Sequence, residues 1–182
     1  LLQQIAVTGI PDSEEQKRVN LRAERRMTSI LVIEVTNIGT AIELLHPATL
    51  STLLQEYQFY LRQAVRLYRG IVNRIEGDRA LVTFDVRHCQ EDHATNAICC
   101  GQLFTLLMQK VAAGHKANHA QSLDFNVVVH SGDAYFSPVW KQKKPGKEKK
   151  REETVIGKAV DLACELLGHC TNGYLLVSEL SY

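Results

Sequence analysis

Ser29-Ile30-Leu31-Val32-Ile33-Glu34-Val35 is the stretch on which the fold turns. It is a near-continuous β-branched and apolar run of strand length. A run without polar alternation marks a strand covered on both faces, in the middle of a sheet. Glu34 interrupts it. An unpaired carboxylate there would cost roughly several kcal/mol, so Glu34 must meet a cation, a metal or water.

Upstream, residues 1–27 read as a polar lead with a turn at Pro11-Asp12-Ser13 and a charged run, Glu14 to Arg26, of helical composition. This segment is expected to be a connector from an upstream region, with one domain over 28–182. The start, Leu1-Leu2-Gln3-Gln4, has neither an initiator Met nor a signal-peptide pattern, as in a piece of a longer chain.

Downstream, Leu50, Leu53, Leu54, Tyr57, Leu61, Ala64, Val65 and Tyr68 recur at helical spacing. They predict a helix from Pro47 to Arg69, with Pro47 at its first position and Gly70 as a left-handed cap. Ile71–Ile75 and Ala80–Phe84 form a hairpin about Gly77-Asp78. A second helix is expected from Glu91 to Ala113, stopped by Gly114. Phe125–His130 and Ala134–Val139 read as another hairpin around Ser131-Gly132-Asp133. A short strand near Thr154-Val155, a helix from Lys158 to Leu167 and a strand from Tyr174 to Val177 follow. The expected class is α+β: a ferredoxin-like sandwich, a mixed sheet with helices packed on one face.

With 182 residues, 45% of them hydrophobic and 23% charged, the chain fits one compact domain and excludes disordered, collagen-like and coiled-coil classes. No run approaches the roughly 18 apolar residues of a membrane span. Five cysteines form no CxxC pair, which points to reduced thiols and a cytoplasmic setting, alone or as the cytosolic part of a membrane-tethered protein. The doublets His88-Cys89 and His169-Cys170 lack a second pair at zinc spacing, so they read as filler.

The net charge of +1 conceals a cluster: Lys141 to Arg151 holds seven basic residues and one acid, leaving the remainder acidic. This segment reads either as a solvated hairpin tip or as an electrostatic contact for nucleic acid, anionic lipid or an acidic partner. No aromatic beyond Trp140 is interleaved, which disfavours nucleic acid.

Asp78, at the predicted hairpin tip, is a second acid beside Glu34. If the first strand neighbours that hairpin, both carboxylates share one end of the sheet and could hold a hard cation through oxygen ligands. The alternative is solvation or pairing with an Arg.

Six segments in register resemble the landmarks of class III nucleotide cyclase catalytic domains. They are Val32–Ile38, Arg74–Phe84, Glu91–Ala94, Val127–Ala134, Thr154–Ala163 and Leu175–Ser178. The resemblance implies a ferredoxin-like fold and a head-to-tail dimer with composite sites, as a homodimer or with another cyclase domain. It implies conversion of ATP or GTP to a cyclic nucleotide with Mg²⁺ or Mn²⁺. By the same resemblance the metal positions are Glu34, where the family has Asp, and Asp78. The phosphate-binding turn falls on Thr36, Asn37, Ile38 and Gly39, with Asn37 where Gly is usual. The purine-reading pair falls on Arg74 and Thr154, which leans towards adenine. The family's catalytic Asn and Arg correspond to Asp161 and Glu165, at the right spacing with the wrong charge.

At about 4 Å and an effective dielectric near 20, a unit charge pair is worth about 4 kcal/mol. Arg to Glu therefore exchanges attraction of a phosphate for repulsion, and a quarter of that swing slows a reaction more than about tenfold. The expectation is a degenerate, inactive cyclase-like domain acting as a dimerising regulatory module that still binds an ATP-like nucleotide or a divalent metal. Two alternatives remain: a working adenylyl cyclase, and a polyanion- or partner-binding module using residues 141–151.

Overall fold

The computed structural model describes residues 24–85, 90–117, 121–138, 153–171 and 173–181. The lead over residues 1–23, Cys89, Trp140 and the basic segment 141–151 lie outside the described residues.

The apolar run is the core of β1 (Glu24–Val35), which starts inside the segment read as a connector. Ile30, Leu31, Val32, Ile33 and Val35 are each 1% exposed or less. Each fully buried aliphatic side chain contributes about 1.5–3 kcal/mol, so the strand must be central. Glu24–Arg26, expected to continue a helical run, are strand instead because they pair with Ala134–Phe136.

After β1 come α1 (Ile38–Leu44) and α2 (Pro47–Leu67). Then β2 (Ile71–Glu76) and β3 (Arg79–Asp85) form the expected hairpin, followed by α3 (His93–Ala117) and β4 (Phe125–Pro138). The chain continues through β5 (Glu153–Ile156), α4 (Lys158–Leu166) and β6 (Leu175–Val177). The strand order is β2-β3-β1-β4-β5, with β6 parallel beside the other end of β4. The sheet is mixed and the class is α+β, as expected.

Alternation along β1 divides its side chains between two cores. Leu31, Ile33 and Val35 pack with Tyr57 and Leu61 of α2 and with Ala97, Cys100 and Phe104 of α3. Ile30 and Val32 pack with Ala159, Val160 and Ala163 of α4. The two long helices share one face as expected, and the short α4 covers the other.

Four local expectations change. Ser131-Gly132-Asp133 has turn composition, yet β4 runs straight through it, pairing these residues with Ser29, Thr28 and Met27. Long-range pairing overrides local preference. Gly132 is there for close approach: a Cβ on it would lie 3.0 Å from the Cβ of Ala159. The hairpin is instead β4–β5, antiparallel from Tyr135↔Ile156 to Pro138↔Glu153. The left-handed residue after α2 is Arg69 at φ 59°, not Gly70. Gly70 is needed because a Cβ would meet the Phe84 ring at 2.6 Å. α3 passes through Gly114 to Ala117, and α1 was not foreseen.

The start of β1 is fastened by Arg26. Its guanidinium donates to Asp85 of β3 and, at 2.8 Å, to Glu153 of β5, and lies 3.8 Å over the Phe136 ring of β4. Arg26 and Asp85 are both buried. Removing one member of a buried ion pair strands the other charge, at a cost of about 3–5 kcal/mol, whereas replacing both with apolar groups avoids that penalty. Urea unfolding of Arg26→Ala should therefore show a loss of about 3–5 kcal/mol, with most of it recovered in Arg26→Met/Asp85→Leu.

Two histidines lie within polar clusters on β1 and β4. His93 Nδ1 is 2.9 Å from Ser29 Oγ, which also meets Ser131 Oγ, and His130 Nδ1 is 2.8 Å from Ser178 Oγ. Burial holds both imidazoles below the ordinary histidine range, with Asp85 partly opposing the effect at His93. Their neutral forms are favoured by folding, so this contribution is complete above about pH 6.5 and is lost as pH falls through the folded values. The melting temperature should fall between pH 7 and 5.5, and the fall should shrink in His93→Gln/His130→Gln.

Candidate functional site

Glu34 follows Ile30 and Val32 on the α4-facing side of β1 and is 18% exposed at its side chain. Its ladder partners are Arg79 on β3 and Asn126 on β4. The Gly77-Asp78 turn is held against the end of β1 by the Val35 amide, which donates to the Asp78 carbonyl at 2.8 Å. Gly77 takes φ 58°, which closes this tight turn. The two acids thus do share one end of the sheet.

What meets Glu34 there is a residue that the reading of the motifs passed over. Arg79 Nε donates to Glu34 Oε1 at 2.7 Å, and its Nη2 lies 2.5 Å from the same oxygen. The guanidinium pKa is raised by the Glu34 hydrogen bond above all; burial opposes this, and the charges of Glu34, Asp78 and Cys164 add to it. Of the partners open to Glu34, a hard cation, solvent or an arginine, the structure shows an arginine beside it. The signal was present: a cation directly after Gly77-Asp78, at the first residue of the returning strand, faces the end of β1 once β1 and β3 pair.

A divalent ion between Glu34 and Asp78 needs carboxylate oxygens as ligands, and a guanidinium on the same oxygen repels it. With two guanidinium nitrogens on Glu34 Oε1, the residues as they stand do not fit Mg²⁺ or Mn²⁺.

The Asn37 backbone has φ −105° and ψ 22°, a conformation open to any residue, so the absence of Gly there imposes no strain. Its side chain is committed elsewhere: Nδ2 donates to the Ser122 carbonyl at 3.0 Å, and Oδ1 accepts from the Asp124 amide at 2.9 Å. Asn37 therefore stitches the β1–α1 turn to the approach of β4. Ile38 and Gly39 open α1, Gly39 exposed.

Arg74 follows a bulge in β2, is about half exposed and lies 4.0 Å from Glu76. Thr154 is exposed on β5 opposite Ser137. β2 and β5 end the strand path on opposite sides, so no ladder joins this pair.

Asp161 and Glu165 are both exposed on α4, whose inward face is Ala159, Val160 and Ala163. Asp161 lies in the first helical turn, where the unpaired amides favour a negative charge. Four residues apart, the acids lie on one helix face and make it negative.

Burial raises the Cys170 pKa, and Cys170 Sγ donates to the Val127 carbonyl at 3.3 Å. Burial pushes Cys100 up to about 12. A groove of about 530 Å³ lies between α2 and α3 and is lined by Glu56, Tyr60, Lys110 and His115, none of them candidate residues.

No family model matches the chain. Proteins of Mycobacterium tuberculosis and Mycobacterium bovis, both described as uncharacterized, are 25% identical to it over 166 residues. The match covers 90% of this chain but only 28% of each relative. Among solved structures, the adenylyl cyclase CyaB from P. aeruginosa is 21% identical with a TM-score of 0.77, covering 89% of this chain and 81% of that one. The guanylyl cyclase Cya2 is 23% identical with a TM-score of 0.75, covering 87% and 78%. At these identities the likeness speaks for architecture, and the architecture is that of a class III adenylyl/guanylyl cyclase domain.

Proposed function

We propose that this chain is a degenerate nucleotide cyclase-like domain, without turnover, that acts as a dimerising regulatory module. The observation that carries the reading is the charge arrangement at the candidate site. A guanidinium occupies the Glu34 carboxylate, and the α4 face that should attract a triphosphate carries Asp161 and Glu165. Both departures oppose the same chemistry. A carboxylate already neutralised by an arginine binds a divalent ion more weakly, and an acid in place of an arginine repels developing phosphate charge.

Mg²⁺ or Mn²⁺ belongs to this proposal only as a ligand of an altered site. Nucleotide binding belongs to it through the turn at Asn37 to Gly39 and through Arg74 and Thr154, with adenine preferred. In a homodimer both halves of a composite site come from this sequence, so neither half repairs the other. Pairing with a competent cyclase domain would supply the missing Asn and Arg. Lys141–Arg151 falls in the sequence between β4 and β5, and its concentration of positive charge supports a contact with the partner domain. The domain is proposed to work in the cytoplasm.

The test is an assay of the purified chain with Mn²⁺ and either ATP or GTP, beside calorimetry with a non-hydrolysable ATP analogue. No cyclic nucleotide above the protein-free background is expected, while the analogue binds. Sustained cyclic AMP formation that is lost in Asp78→Asn would overturn the proposal in favour of a working adenylyl cyclase.

A further inference from the structure

We infer that Arg79 is a built-in counter-cation, a latch that holds the Glu34–Asp78 acid pair closed to divalent metal and whose withdrawal opens it. This rests on the reading of Glu34 and Asp78 as the acid pair of the site. Three features carry it.

The first is placement. Arg79 is the direct ladder partner of Glu34 and the chain neighbour of Asp78, so one guanidinium sits in the field of both carboxylates. That is the electrostatic task a divalent ion would perform at the same spot. The turn is fixed to the end of β1 by the Val35–Asp78 backbone bond, so the backbones that carry the three charged groups keep their spacing.

The second is asymmetry of burial. The Glu34 side chain is 18% exposed, whereas that of Arg79 is 53% exposed. The acid cannot leave the strand without exposing apolar neighbours, but the arginine can swing into water by rotating its own side chain. Only the cationic half of the pair is free to move, which is what a reversible latch requires.

The third is geometry. Both Nε and Nη2 approach a single oxygen, Oε1, leaving Oε2 as the open ligand. A metal bound at Oε2 would sit beside the guanidinium, and repulsion between the two cations would weaken it. Once Arg79 turns outward, both Glu34 oxygens are available at the end of the sheet that carries Asp78.

The experiment is Mn²⁺ titration, read by the electron paramagnetic resonance signal of free Mn²⁺ and by calorimetry. The proteins are the wild-type chain, Arg79→Ala, Arg79→Gln and Arg79→Ala/Glu34→Gln, each checked for native circular dichroism. Arg79→Gln keeps hydrogen-bond donors near Glu34, so it guards against failure of the alanine variant to fold. Mn²⁺ affinity should rise at least about tenfold in both single variants, and the gain should vanish in the double variant. Equal affinity in the wild type and both single variants, or a gain that survives Glu34→Gln, overturns the latch. If the wild type already binds Mn²⁺ as tightly as the single variants and Arg79→Ala/Glu34→Gln does not bind it, the latch is wrong while the acid-pair reading stands. If no folded variant binds Mn²⁺ at all, the acid-pair reading falls with it.

Discussion

A strand that is apolar on both faces has to be covered twice, and this requirement on β1 organises the molecule. Leu31, Ile33 and Val35 require the α2–α3 layer, while Ile30 and Val32 require α4. Satisfying both places β1 between β3 and β4, which pair along its apolar middle. The charged residues on the α4-facing side fall at its two ends. Arg26 and Glu34 flank the apolar middle, and each is met by opposite charge from neighbouring strands. One end became a structural knot of four strands. The other became the candidate site.

The contrast between those ends separates fold from function. At the Arg26 end the charges are buried, matched and multiply bonded, so their arrangement is what stability demands. At the Glu34 end the acid is partly buried, its partner is half exposed, and a second acid waits in a fixed turn. The architecture is shared with adenylyl and guanylyl cyclase domains. It does not depend on what Asp161 and Glu165 carry outward, because α4 packs through Ala159, Val160 and Ala163.

What could be read from the sequence was what local physics decides. The unbroken run at Ser29–Val35 announced a central strand, the stripe from Leu50 to Tyr68 announced a helix, and Gly77-Asp78 announced a tight turn. Each depends on neighbours within a few residues. The failures depended on residues far away. Ser131-Gly132-Asp133 has the composition of a turn and becomes strand because Met27–Ser29 hold it straight. Gly70 resembles a cap, but its lack of a side chain answers to Phe84. At the site, the two acids and their common end of the sheet were legible, whereas the Arg79–Glu34 bond was not. It emerges only when the β1–β3 register is known, since a shift of one residue would turn Arg79 away.

The pairing of β1 with β4 also has a consequence in time. Val35 pairs with Phe125 and Glu24 with Phe136, so the two central strands are separated by most of the chain between them. At a synthesis rate of about 5–20 residues per second, β1 leaves the ribosome several seconds before β4 exists. β3 arrives earlier and can cover one edge, but the other edge stays open. During that interval a low-charge, β-branched segment with an unpaired edge is the kind of sequence that joins neighbouring nascent chains. The strand that makes the fold is therefore also its vulnerability during birth, and the need to shield it falls on chaperones until Phe136 emerges.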